Sequence, residues 1–397
     1  MQTNIPLSLK NDPRIIEAES VLRSCVHCGF CNATCPTYGL LGSELDGPRG
    51  RIYLVKTMLE TGEAGAKTRL HLDRCLTCRS CETTCPSGVQ YGHLADIGRS
   101  LVEEGRPFFE RAYRRLMLAV FPYPQRLRPV LALARIAKPF LPSRFRKKII
   151  AKKAVLPVPE GAHSRKMLVL EGCVQSLSHP NTNRAAARVL DRTGISLITG
   201  KGCCGAMHSH MGHDPRDLIR RNVDSWWPHV EQGIEAIVMT ASGCGATVKE
   251  YGALLKNDPE YAEKAGRIAS LAKDLSEIMA TEDMSRFREA GRGRKVAWHC
   301  PCTLQHGQKL AGLVDRMLEQ CGFELCPVPD SHLCCGSAGT YSLLQPEISG
   351  KLLENKLAAL EAENPDIIAT ANVGCQMHLE SGTDTPVRHW IELFDQP

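Results

Sequence analysis

The sequence has none of the glycine-rich signatures that hold nucleotides. No G-x-G-x-x-G follows a strand-like run, and GRGR at 291–294 stands in the wrong context, so neither a flavin nor a nicotinamide site is expected. P-loop and nucleophile-elbow patterns are also missing, which excludes the usual routes to phosphoryl transfer and serine hydrolysis. Aromatic residues make up only 5% of the chain. The most basic stretch, 101–153, lacks aromatics interleaved in the manner that stacks single-stranded bases, so no nucleic-acid partner is expected. Residues 1–24 carry no basic-then-apolar leader. The apolar run Leu116 to Phe121 in the basic stretch is far too short to span a bilayer. A cytoplasmic chain, peripheral at the inner face of the cell membrane, is the expectation.

Cysteine is what the sequence has in excess, with nineteen residues. In a reducing cytosol so many thiols point to metal ligation. Eight fall in two matching blocks, Cys25, Cys28, Cys31, Cys35 with Pro36, and Cys75, Cys78, Cys81, Cys85 with Pro86. Both read C-x2-C-x2-C-x3-C-P, the spacing of ferredoxins with two [4Fe–4S] clusters. Three thiolates on one tight loop reach three irons of a cubane, and the fourth comes from the other block. One cluster is therefore assigned to Cys25, Cys28, Cys31 and Cys85, the other to Cys75, Cys78, Cys81 and Cys35. Zinc favours two separated pairs rather than three-plus-one runs, and disulfides fit the compartment poorly.

A helix is expected over residues 13–24, leading into the first loop, and another from Ile52 to Leu59 between the blocks. Arg49 and Arg51 beside it either stabilise the negative charge of a cluster or are solvated loop residues. Between residues 101 and 153 stand fourteen Lys and Arg against three Glu, a balance of +11 in a chain whose total is +6. Leu127, Val130, Leu131 and Ala134 recur at helical spacing, predicting an amphipathic helix that begins near Pro129. This segment reads as a helical linker, a docking surface or a site for anionic lipid.

From residue 164 short apolar runs alternate with helical stretches, and the order repeats. Strands are expected to end at Cys173, Cys244, Cys302 and Cys375, with helices over 182–193 and 308–320. CCG stands at 203–205 and at 334–336. Cys204 precedes Cys244 by forty residues, and Cys335 precedes Cys375 by forty. Such self-similarity indicates duplicated domains, and strand–helix alternation predicts a parallel α/β sheet in each. Open α/β sheets place ligand sites at the carboxyl ends of strands. The two sets Cys173, Cys203, Cys204, Cys244 and Cys302, Cys334, Cys335, Cys375 are thus candidate soft-metal ligands. Cys300, Cys321 and Cys326 have no counterpart in the first repeat and are expected to be structural. His208, His210, His213, His299 and His306 lie beside these loops as hydrogen-bonding or ligating candidates.

Through CVHCGFCNATCPTY, CLTCRSCETTCPSGV, EGCVQ, CCGAMHSHMGHD, HCPCTLQH and CCGSAGTY, the chain resembles the ferredoxin plus cysteine-rich (CCG) family of heterodisulfide reductase-like proteins. Within that family it is most similar to the iron–sulfur subunits of glycolate oxidase (glycolate dehydrogenase). The resemblance implies an α+β multidomain chain: a helical two-cluster ferredoxin-type domain over 1–98, a basic helical linker over 99–163, and CCG repeats over 164–290 and 291–397. It implies two [4Fe–4S] clusters, with one or two further iron–sulfur clusters as candidates in the repeats. It also implies an electron-transfer role beside an FAD-containing partner that oxidises glycolate to glyoxylate, with a quinone-type acceptor. Lactate or glycerol 3-phosphate as the partner's substrate, or a catalytic heterodisulfide reductase-like role, are the alternatives. The family's fullest motif ends in C-x2-C, but here the earlier position is Ala241 and Asn372. The five-cysteine set of non-cubane clusters is therefore incomplete, and a simpler cluster, or a vacant repeat, is expected.

Overall fold

The computed structural model describes residues 1–140, 154–159 and 161–395. The part of the basic segment at 141–153 lies outside them. The chain divides into two units: Met1–Leu118 with Met207–Asp214 and His332–Lys356, and Ala119–Ala206 with Pro215–Ser331 and Leu357–Pro397.

The first unit is helical. Asp12 caps α1 (Pro13–Ser24) by accepting from the Arg14 amide, and Pro13 at the first position needs no donor. Pro36 plays the same part in α2 (Pro36–Leu41), which explains why a proline follows Cys35. α3 (Pro48–Thr61) starts on Pro48 and stops at Gly62, in the left-handed region. With α4 (Ala66–Asp73), α5 (Ser80–Thr84) and α6 (Tyr91–Glu104), these helices enclose a core of Leu22, Val55, Leu59, Leu72, Leu94 and Val102. The expected helices at 13–24 and 52–59 are present, the second one turn longer at its start.

The basic segment holds α7 (Phe108–Val120) and α8 (Pro124–Ala137). α8 begins on Pro124 rather than near Pro129, because a first-turn proline costs no hydrogen bond; Pro129 lies inside the helix. Of its expected apolar face only Leu127 is buried, while Val130 is 48% exposed.

The second unit carries two parallel four-stranded sheets. β1 (Arg165–Leu170), β2 (Ile195–Gly200), β3 (Ile237–Met239) and β4 (Ala272–Asp274) are ordered β2-β1-β3-β4. β5 (Lys295–His299), β6 (Glu324–Cys326), β7 (Ile367–Thr370) and β8 (Val387–His389) repeat that order as β6-β5-β7-β8. Leu168 pairs with Ile237 in one sheet and Val296 with Ile367 in the other. The central strands are unbroken apolar runs, as parallel strands covered on both faces must be. A single core joins the repeats: Met167, Val169 and Val238 pack with Val296, Trp298, Trp390 and Phe394.

The fourth strand of each sheet, β4 and β8, is too short to stand out in the sequence. The expectation that strands end at Cys244 and Cys375 is corrected. The strands stop at Met239 and Thr370, and each cysteine is the third residue of the following helix, Ser242–Val248 or Val373–Glu380. Likewise β1 ends at Leu170 and β5 at His299, so Cys173 lies in the turn beyond and Cys302 caps the short helical segment Thr303–Gly307. The helices expected at 182–193 and 308–320 run Asn181–Asp191 and Leu313–Gln320.

Candidate iron–sulfur sites

The two ferredoxin loops share one backbone shape. His27 (φ 62°) and Gly29 (φ 87°) alternate with right-handed or extended residues in the first, as Thr77 (φ 51°) and Arg79 (φ 59°) do in the second. Alternation of this kind turns successive amide N–H groups inward, making a concave surface that favours negative charge, as at many iron–sulfur sites. Three non-glycine residues held at positive φ indicate that the loops are shaped for a ligand.

One cavity of the first unit is lined by Cys25, Cys28, Cys31 and Cys85, together with Cys81. A second is lined by Cys35, Cys75, Cys78 and Cys81. Each brings cysteines of one block together with cysteine from the other: Cys81 and Cys85 in the first, Cys35 in the second. The thiols crowd one another. Burial pushes Cys31 up to about 11, with the neighbouring Cys25 and Cys85 adding to the shift. Burial likewise raises Cys81 well above the ordinary thiol range, reinforced by Cys78, Cys75 and Cys35. Thiolates packed this closely need a cation among them, and a cluster's irons would supply it. The donor set therefore fits a [4Fe–4S] cluster at each cavity.

The surroundings of the two sets differ. Arg51 is buried (1% exposed), with Nη1 at 4.0 Å from Cys35 Sγ. It also donates to His71 O at 2.7 Å and to Thr37 Oγ1 at 3.0 Å. Arg99, also buried, donates to Thr77 Oγ1 and Cys75 O. Tyr91 donates its hydroxyl to Cys75 Sγ at 3.5 Å. Burial opposes the thiolate of Cys75, yet the Arg51 and Arg99 charges and the Tyr91 bond hold this thiol below its ordinary range. Of the two arginines singled out in PRGRI, Arg51 is thus a buried neighbour of the second set. Arg49 is paired with Glu44 at 2.6 Å near the surface. Arg99 and Tyr91, both on α6, carry no motif of their own, and only the packing of α3 against α6 reveals them.

In the first repeat all four candidates meet within the second unit. Cys173 contacts Cys203, and Cys204 contacts both Cys203 and Cys244. The neighbouring Cys203 thiol and burial raise Cys173, and its contacts with Cys203 and Cys244 together with burial raise Cys204. They sit beyond the carboxyl ends of β1, β2 and β3, where the connections from β1 and β3 leave in opposite directions. Asn222 donates to Cys203 O at 2.8 Å and Tyr251 donates to Cys204 O at 3.0 Å, so the CysCys turn is fixed from behind.

In the second repeat the candidates divide. Cys302 and Cys375 belong to the second unit, Cys334 and Cys335 to the first. His299 and Cys375, both buried, bring ligand atoms within 4.8 Å of each other. Gly205 and Gly336 both have φ near +90°, the left-handed turn that closes each CCG motif.

Of the two positions that lack the further cysteine, Asn372 has another task. Ala241 and Asn372 precede the helices that carry Cys244 and Cys375. Asn372 Oδ1 accepts from the Gly243 amide at 3.3 Å, and its Nδ2 donates to Cys375 Sγ at 3.4 Å. The Ser242 amide donates to Ala371 O at 3.0 Å. These residues fasten repeat to repeat.

His213 Nε2 lies 3.5 Å from Glu103 Oε1 in the first unit. Burial pushes the Glu103 carboxyl up, but His213, Arg114 and Arg106 outweigh it and hold the group low. Cys321 is fully buried in the shared core, and burial alone pushes it up to about 11. Cys326 lies in β6 and Cys300 is buried.

A dicluster ferredoxin unit with duplicated parallel sheets that present cysteines at strand ends defines a class, the cysteine-rich iron–sulfur proteins. Residues 21–89 match the 4Fe-4S dicluster domain family, and residues 167–249 and 296–380 match the cysteine-rich (CCG) domain family. The chain is 53% identical to the glycolate oxidase iron-sulfur subunit of Escherichia coli (strain K12), over 100% of this chain and 99% of that protein. It is 30% identical to the probable glycolate oxidase iron-sulfur subunit of Bacillus subtilis (strain 168), over 92% and 90%. It is 27% identical to lactate utilization protein A of Bacillus licheniformis, over 52% of this chain and 87% of that one. The chain belongs to the family of glycolate oxidase iron–sulfur subunits. In fold it is similar to a hypothetical protein from Helicobacter pylori (TM-score 0.53, 10% identity, covering 96% of this chain and 71% of that one).

Proposed function

We propose that this chain is the electron-transfer subunit of a glycolate-oxidising complex. An FAD-containing partner subunit takes electrons from glycolate, and this chain passes them toward a quinone-type acceptor. The observation that carries the reading is the pairing of cysteines across the two blocks around two separate cavities. Cys25, Cys28, Cys31 and Cys85 would hold one [4Fe–4S] cluster; Cys75, Cys78, Cys81 and Cys35 would hold the other. Cys173, Cys203, Cys204 and Cys244 are the ligands for a further cluster, and Cys302, Cys334, Cys335 and Cys375 are their counterparts. Such clusters supply one-electron storage and transfer at little structural cost. The chain's own contribution is to shape the loops, exclude water from the buried thiolates and set the local charge.

Among the described residues no helix is long and apolar enough to cross a membrane. Attachment at the inner face of the membrane would then be peripheral. The use of Asn372 in fastening the repeats favours this relay over a disulfide-reducing enzyme.

The test is to purify the complex anaerobically through a tag on this chain and add glycolate, with lactate and glycerol 3-phosphate as controls. Bleaching of the iron–sulfur absorption by glycolate, with a flavoprotein co-purifying, is the expected result. Intact clusters that bleach only with a control substrate reassign the partner. Intact clusters without any flavoprotein refute the relay.

A further inference from the structure

The two ferredoxin sets share ligands and loop shape but not surroundings, and this asymmetry gives the relay a direction. In the first set Cys28 is exposed, flanked by Val26 (68% exposed) and Phe30 (63%). The guanidinium against its loop, Arg49, is already engaged by Glu44 at 2.6 Å. In the second set Cys35, Cys75 and Cys81 are all buried. The nearby carboxylate Asp46 stands 3.7 Å from Arg51 and is bonded more closely to His71 (2.8 Å) and Arg74 (3.0 Å). Cys35 Sγ further meets Thr37 Oγ1 at 3.3 Å, and Cys75 Sγ accepts from the Thr77 amide at 3.4 Å.

Reduction adds one negative charge to a cluster and its thiolates. Buried positive charge and hydrogen bonds to sulfur favour that added charge, and both act more strongly where water is excluded. We propose that the two sets are unequal electron acceptors. Arg51, Arg99 and Tyr91 make the Cys35–Cys75–Cys78–Cys81 set the higher in potential, so that electrons enter at the exposed Cys28 edge and collect at the buried Cys75 edge. Within the same unit Tyr341 ties the segment that carries Cys334 and Cys335 to this set: it is buried, and its hydroxyl donates to the carbonyl of Arg74, the residue before Cys75, at 3.0 Å. The three named side chains are positioning residues that act on the thiolates and are not themselves oxidised or reduced.

This inference rests on the two ligand sets assigned above, and one experiment separates the two claims. The full chain, purified anaerobically with its clusters, is titrated potentiometrically and followed by electron paramagnetic resonance. Wild type gives at least two one-electron components; fewer than two overturns the ligand sets, and the inference with them. Tyr91→Phe keeps the buried ring and removes only the bond to Cys75 Sγ. It is expected to move the upper ferredoxin component downward and leave the lower one in place. Arg51→Gln shifts the same component further, whereas Arg49→Gln leaves it unmoved. If Arg51→Gln loses iron, Tyr91→Phe decides alone. An upper component that stays in place in Tyr91→Phe, or a shift confined to the lower component, overturns the inference.

Discussion

Alanine at Gly50 sets two ordinary expectations against each other. Gly50 lies inside α3, where replacing glycine by alanine normally stabilises by about 1 kcal/mol. Here, however, an added Cβ would stand 2.1 Å from Glu44 O and 2.8 Å from Leu45 Cα, against an ordinary contact of 3.4–4 Å. Both obstacles are backbone, so α3 and the 44–46 turn would have to part by more than an ångström. Overpacking of this kind costs about 1–3 kcal/mol. The neighbouring Arg51 would also shift, straining its bonds to His71 O and Thr37, where hydrogen bonds of charged groups contribute about 1.5–3 kcal/mol each. The clash outweighs the propensity, and a net loss of about 3 kcal/mol is expected. For a unit of this size that lowers the melting temperature by roughly 6–12 °C. Gly39 in α2 is the control, since it is exposed and a Cβ there meets nothing within 4 Å. Gly39→Ala should hold or raise stability by up to about 1 kcal/mol. Anaerobic thermal unfolding, followed at the iron–sulfur absorption, compares the two. A Gly50→Ala chain that melts at or above wild type would refute the reasoning.

Asp46→Ala removes the buried carboxylate that faces His71, Arg74 and Arg51, and leaves Arg51 without its counter-charge. A loss of about 3–5 kcal/mol is expected, and the same unfolding measurement should show Asp46→Asn as milder. His389 gives a pH dependence in the second unit. Buried and desolvated, with Nε2 donating to Thr240 O at 2.7 Å, it is pushed down to about 3. Because the folded state resists its protonation, its contribution is full above pH 6.5 and is lost as pH falls from there toward 3. Stability should fall there by up to about 1.4 kcal/mol per pH unit from this group, and the slope should flatten by that amount in His389→Gln. Equal slopes in the two chains would remove His389 from the account.

The sequence by itself determined the candidate ligands that lie in short runs. Spacing alone prescribes both ferredoxin loops, because three thiolates on one tight turn must be close in sequence to be close in space. The exchange of the fourth cysteine is an expectation from the same spacing, which in two-cluster ferredoxins draws that ligand from the other block. The duplication, too, is legible from equal intervals between cysteines, and the central strands from their unbroken apolar runs.

What tertiary structure alone decided is the environment of those ligands. Arg51 and Arg99 come from α3 and α6, separated by most of the ferredoxin unit, and nothing local marks them as neighbours of Cys35 and Cys75. The helices that carry Cys244 and Cys375 were hidden because β3 and β7 are short and the apolar character continues past their ends. Strands β4 (AKD) and β8 (VRH) are hidden because three residues that include charged ones form no apolar run, unlike IVM in β3. Ala241 and Asn372 read as gaps in a motif, and only the packing of one repeat on the other gives Asn372 its hydrogen bonds to Gly243 and Cys375. Candidate ligands in short runs are set by spacing; the charge and burial around them are sums over distant residues, which only the folded chain adds up.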